Sequence, residues 1–334
     1  MEYSPGRVPR MLSRASHIND MSNPSVESMS EATQIGAGEF YQVMSEGIQS
    51  NYPVTTGLMP WVFQRPWPTV AAIHLLDGFG QPSAPYYFLK RTYEPVHVAL
   101  LPERILWKAG EVFPVKTVIT NSATGKSVQN RNYFLSVKIM DEQFNEVYHQ
   151  TKQTHLSSGP SVNEIVFNDF KIPSDLKKQY FFVYVSLHDQ SKNEISRSVY
   201  WPRTIPQMEN EEYYDTFVSK PQAWPTLKDG PWLKPVVNKT KTSLDARIIS
   251  KKHLDNGYTN VLIEIENDGR VPSFMTKLNV LGNKRLFVAD DNFFWMQPGE
   301  KRQVQVLIKW REKPDNNNSI IVESWNAKKQ ELKF

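Results

Sequence analysis

Two tryptophans, a glutamine and an arginine crowd into seven positions of "GLMPWVFQRPWPT", residues 57–69: Trp61, Gln64, Arg65 and Trp67. An indole face stacks on the C–H face of a pyranose, and amide and guanidinium groups bond its hydroxyls. In that role the four residues form a sugar platform. The alternative is ordinary core packing against neighbouring helices, and the spacing alone leaves both readings open.

Other patterns that suggest chemistry fail on their spacing. "GAG" at Gly36–Gly38 lacks the third glycine of a dinucleotide loop and lies inside a helical pattern. "TGKS" at Thr124–Ser127 has Thr120 where a phosphate loop needs glycine, in a β-turn context. The 7 histidines are scattered and none pairs at metal-ligand spacing, so no metal or cofactor is expected. His74, beside an apolar run, reads as a core histidine. The acidic run "ENEE" at 209–212 reads as a solvated linker.

The elements that must position such residues follow from composition and period. The 334 residues suit two or three domains. A net charge of +4, with no basic block interleaved with aromatics, speaks against a nucleic-acid partner. The absence of cysteine removes disulfides, thiolate zinc sites and a cysteine nucleophile, yet leaves the compartment open and is compatible with a periplasmic or extracellular bacterial location. No apolar run reaches the roughly 18 residues that would span a membrane. The opening "MEYSPGRVPRMLSRASHIND" has no signal-peptide apolar stretch and reads as a chain entered partway through.

The first hundred residues have an α/β rhythm. The spacing predicts a helix over about 25–50, with Met29, Thr33, Ala37, Phe40, Tyr41, Met44 and Ile48 recurring at helical period and Ser25 as N-cap. "TGLMPWVFQ" reads as a short buried strand. "DGFG" then turns into a second helix that Pro82 and Pro85 introduce and Pro95 ends. From about His97 the period becomes two. Leu135, Val137 and Ile139 share one face, as do Val261, Ile263 and Ile265, and Val304, Val306 and Ile308. Strands every 8–12 residues or so, separated by polar turns, predict sandwiches. The proline- and acid-rich segment 202–235 reads as the linker between them.

With these elements in view, residues 56–98 resemble the end of the catalytic barrel in glycoside hydrolase family two, which includes β-mannosidases, β-galactosidases and exo-β-glucosaminidases. Trp61, Trp67, Pro68, Asp77, Gly80, Tyr86, Tyr87, Lys90, Arg91 and Pro95 match that family's pattern. "NEISRSVYW" and "DDNFFWMQPGEKRQVQV" are similar to stretches of its two following sandwiches, nearest the exo-β-glucosaminidase and β-mannosidase branches. The resemblance implies a mainly β chain: two immunoglobulin-like β-sandwich domains preceded by an α/β remnant of a TIM barrel. The expected division is 1–96 for the barrel segment, 97–205 for the first sandwich, and 206–334 for the linker and second sandwich.

It also implies a β-linked glycoside as ligand, and the remainder of the catalytic barrel as partner. Retaining glycosidases need two carboxylates about 5–5.5 Å apart. Neither family motif that carries them occurs in the chain; Glu2 echoes the nucleophile strand without a partner. No catalytic residue is therefore assigned, and the chain by itself is expected to be inactive. Val62, Gln64 and Arg65 depart from the family's Gln, Asn and Asp, which bears on specificity. A competing expectation is a stand-alone carbohydrate-binding or structural sandwich protein, which requires exposed aromatics such as Trp224, Trp232 or Trp295.

Overall fold

The computed structural model describes residues 14–60, 62–64, 74–104, 106–122, 131–177, 179–204, 230–312 and 318–334. The chain is mainly β and forms two compact units. One comprises residues 5–59 and 88–233, the other residues 60–87 and 234–334.

The first unit begins with helix α1 (Val26–Gln49). Ser25 is extended at φ −65° and ψ 161°, and its hydroxyl accepts from the Ser28 N–H, so the predicted cap forms. The buried face differs from the expected apolar stripe. Ala32, Thr33, Ile35, Gly36, Gly38, Tyr41, Gln42, Ser45 and Glu46 face inward, while Phe40 is exposed. Close approach explains the difference. A Cβ on Gly36 would meet the Arg14 carbonyl oxygen at 3.1 Å, and one on Gly38 would meet the Phe88 ring at 2.8 Å. The "GAG" run thus provides two contact points where neighbouring chain needs the space of a side chain.

After the second helix, α2 (Ala84–Thr92), the first sandwich runs through β1 (Val96–Leu100), β2 (Val112–Phe113), β3 (Lys116–Asn121), β4 (Arg131–Met140), β5 (Glu146–Leu156), β6 (Ser161–Val166), β7 (Phe170–Lys171), β8 (Phe182–His188) and β9 (Glu194–Tyr200). Antiparallel sheets in the orders β1-β3-β6 and β5-β4-β8-β9 share one core, with the short pair β2-β7 beside it. The predicted trio Leu135, Val137 and Ile139 is buried there. Trp107, Phe113 and Phe181 stack edge to face, with centroids 4.9 and 5.3 Å apart along the row.

In the other unit, helix α3 (Leu233–Lys239) leads toward β10 (Leu244–Leu254), β11 (Tyr258–Asn267), β12 (Ser273–Leu281), β13 (Arg285–Ala289), β14 (Phe294–Met296), β15 (Lys301–Trp310), β16 (Ser319–Ser324) and β17 (Ala327–Lys333). Sheets β10-β11-β15-β13 and β14-β12-β16-β17 enclose a second core. Strict alternation along β11 places Val261, Ile263 and Ile265 inward, and β15 does the same with Val304, Val306 and Ile308. Helix α3 lies at the end of the segment expected to be wholly linker. Most of that segment, with the "ENEE" run, falls outside the described residues, as does "TGKS".

The strand expected over 56–64 does not form. Residues 55–60 have no regular structure, and Gln64 makes an isolated parallel bridge to Leu76. A buried strand requires hydrogen-bonded neighbours on its edges. Among the described residues, Leu76 is the partner that pairs with this segment.

Candidate functional site

The candidate sugar wall centres on Gln64. Trp61, Arg65 and Trp67 lie outside the described residues. Gln64 itself is exposed, and its side-chain amide donates to the Asp77 carbonyl at 3.3 Å. The Phe63 carbonyl accepts from the Leu75 and Leu76 amides at 3.1 and 2.9 Å, which folds 62–64 against 74–76. Phe63 and Phe79 are both exposed beside this fold. An exposed amide with exposed rings close in sequence is the chemistry that a sugar's hydroxyls and C–H face engage.

A wired turn holds the wall. The Asp77 Oδ1 accepts the backbone N–H groups of Phe79 and Gln81, each at 2.8 Å, and Gly80 takes φ 87°. Asp141 and Asp189 repeat the arrangement in the β4–β5 and β8–β9 hairpins. Their Oδ1 atoms accept N–H groups two and four residues on, with Phe144 and Lys192 at φ 65°. The family-like Asp77 and Gly80 are therefore turn-forming residues in this structure. Gln81 carries the turn onto strand β13. Its Nε2 donates to the Phe287 carbonyl at 2.8 Å and its Oε1 accepts from the Phe287 N–H at 3.1 Å.

The neighbouring family-like Tyr87 is fully buried in the second sandwich core and accepts from the Ala289 N–H at 3.4 Å; burial pushes its phenol well up. His74 is buried as expected. Elsewhere, two carboxylates of α1 are paired: the half-buried Glu39 with Arg203 at 3.2 Å and the buried Glu46 with His97 at 2.9 Å. Sequence reasoning missed these pairs. Their one trace is polar residues, Glu39, Gln42 and Glu46, spaced three and four apart on a helix. No group of histidines and carboxylates suited to a metal ion occurs among the described residues. Trp295, a candidate binding aromatic, is buried against Phe274 at 5.3 Å and presents no platform. Trp224 lies outside the described residues, and Trp232 is half-buried.

Residues 233–327 match the exo-β-D-glucosaminidase Ig-fold domain family. The exo-β-D-glucosaminidase of Amycolatopsis orientalis is 24% identical over 279 residues, covering 82% of this chain and 25% of that protein. The Streptomyces avermitilis exo-β-D-glucosaminidase is 21% identical over 302 residues, covering 87% and 30%. The chain thus spans about a quarter to a third of the length of these relatives. Among solved structures, the Amycolatopsis orientalis exo-chitosanase CsxA superposes with a TM-score of 0.67 at 19% identity, over 92% of this chain and 35% of that one. A β-D-mannosidase from Dictyoglomus thermophilum gives 0.58 at 17% identity, over 96% and 32%. These likenesses establish the fold, and the resemblance to the exo-β-glucosaminidase and β-mannosidase branches of glycoside hydrolase family two holds.

Proposed function

We propose that this chain is the C-terminal portion of a retaining exo-β-glycosidase that hydrolyses β-D-glucosaminides. The observation that carries the reading is the match of residues 233–327 to the exo-β-D-glucosaminidase Ig-fold domain. In this proposal the labour divides along the boundaries that the resemblance implies. Residues 1–96 complete a catalytic barrel, 97–205 and 206–334 support it, and the two catalytic carboxylates reside on barrel strands that this chain does not supply. Trp61, Gln64, Arg65 and Trp67 line the sugar site.

Surface chemistry supports the barrel assignment. Val54 is 81% and Met59 95% exposed, with Tyr52 and Tyr93 also open to solvent. Large apolar side chains gathered this way mark a surface that a further element covers. Peptide mapping of the native polypeptide, combined with assays on p-nitrophenyl β-D-glucosaminide, β-D-mannoside and β-D-galactoside, tests the proposal. The expected result is a polypeptide far larger than 38.6 kDa that prefers the glucosaminide. A native chain of that smaller size, or a clear preference for mannoside or galactoside, overturns it.

A further inference from the structure

A buried polar cluster closes the seam between α1 and the first sandwich. Glu46, in the last turns of α1, is 2% exposed. Its Oε1 meets the His97 Nε2 at 2.9 Å and the Gln42 Nε2 at 3.2 Å, and its Oε2 accepts the Tyr200 hydroxyl at 2.9 Å. Gln42 stands one turn back on the same helix, His97 in β1, and Tyr200 at the end of β9. The Tyr200 oxygen also accepts the Leu100 N–H at 3.0 Å. Among the described residues, His97 is the group in contact with Glu46 that can carry positive charge. Its Nδ1 is buried and has no hydrogen-bond partner there.

The other groups around this seam are balanced or neutral. Glu39, two turns back on α1, is paired with Arg203. From α2, Thr92 meets the Ser45 hydroxyl at 2.8 Å, and both are neutral. Strand β9 adds Ser196 and Ser198, which bond the backbone of Val98.

Two proton inventories are possible. If Glu46 is ionised, countercharge requires a doubly protonated imidazole, whose Nδ1–H would be buried without an acceptor. With a singly protonated imidazole, neutral donors alone face a buried carboxylate. Either arrangement is costly. If Glu46 instead carries a proton on Oε2, the wiring closes. That hydrogen goes to the Tyr200 oxygen, and the Tyr200 hydrogen turns toward the Ser198 hydroxyl, which interacts with it from the same strand. Ser198 in turn donates to the Val98 carbonyl at 2.7 Å. His97 and Gln42 continue to donate to Oε1, and Nδ1 remains a bare lone pair.

We propose that Glu46 is a proton-operated latch: taking up one proton at Oε2 tightens the docking of α1 on the first sandwich, and losing it loosens that seam. Burial raises the Glu46 carboxyl above its ordinary value of 4.5, and the bonds from His97, Tyr200 and Gln42 offset this only in part. A folded-state value above the unfolded one gives stability that is fully present below 4.5 and is lost as pH rises through the folded value.

The test is urea unfolding of the whole chain between pH 5 and 8, read at residues 26–49 by pulsed hydrogen exchange at a fixed labelling pH. Wild type is compared with Glu46→Gln, which keeps the neutral shape. From pH 5 to pH 8 the wild-type unfolding constant should rise more steeply than the variant's, because only the wild type gives up a folded-state proton at position 46 over that range. Parallel curves overturn the latch. Should E46Q fail to fold, a carbon-13 titration of the wild-type carboxyl decides. A Glu46 midpoint above 4.5 supports the proposal, and one at or below 4.5 overturns it.

Discussion

The side chain of Gln81 pairs with the backbone of Phe287 as a neighbouring strand would, donating at 2.8 Å and accepting at 3.1 Å across 206 residues of sequence. Phe287 belongs to β13, which ends its sheet order. An edge strand exposes unpaired N–H and C=O groups. One amide here satisfies both polar groups of an edge residue and anchors the Asp77 turn.

Gln81→Ala should therefore destabilise the unit containing β13 by about 1–3 kcal/mol, because both Phe287 groups lose their partner. Chemical denaturation read at β13 checks it. An unchanged midpoint would show that water replaces the amide without cost.

Gly38 and Gly47 lie on the same helix with opposite surroundings. A Cβ on Gly38 would stand 2.8 Å from the Phe88 ring, whereas one on Gly47 meets nothing within 4 Å. Gly38→Ala should cost about 1–3 kcal/mol by overpacking. Gly47→Ala should stabilise α1 by about 0.5–1 kcal/mol, since alanine loses less chain entropy. Thermal unfolding of the two variants checks the opposite signs, and Phe88→Leu should relieve part of the G38A loss.

Asn326 is fully buried and links three segments. Its Nδ2 donates to the Thr240 and Pro272 carbonyls at 3.0 and 2.9 Å, and its Oδ1 accepts the Phe274 N–H at 3.1 Å. Asn326→Ala strands three backbone groups and should cost at least about 2 kcal/mol. Asn326→Asp, which turns a carboxylate toward two carbonyls, should cost more. Equal stabilities for the aspartate variant and wild type would refute the wiring.

For the proposed sugar wall, Gln64→Ala, measured in the longer polypeptide that the proposed function calls for, should weaken β-D-glucosaminide binding about tenfold, the equivalent of one lost hydroxyl contact at about 1.4 kcal/mol. Trp61→Ala or Trp67→Ala should lose more, through the stacking surface. Isothermal titration with an unreacted glucosaminide checks each. Unchanged affinity in all three variants would overturn the sugar wall and leave core packing as the reading of the two tryptophans.

Local chemistry was readable from the sequence where it acts within a few residues. Ser25 caps α1 because its hydroxyl reaches Ser28 without help from the rest of the fold. The period-two runs of β4, β11 and β15 identified their inward faces because each such strand has one apolar side. What the sequence concealed depends on groups far apart along the chain. The apolar period of α1 pointed to Phe40, yet the tertiary structure buries the Gly36–Gly38 and Gln42–Glu46 face, because Arg14, Phe88, His97 and Tyr200 converge there. Residues 56–64 read as a strand from composition and do not form one, because a strand is completed by neighbours that its own residues do not encode. The sequence by itself determined the inward faces of the sandwich strands and the start of α1, but neither helix α3, which lies in a segment that reads as linker, nor the irregular course of 56–64. Tertiary structure alone decided which helix face is buried, which carboxylates are enclosed, and that Gln81 serves a strand edge 206 residues away, since those outcomes rest on pairings that no local pattern contains.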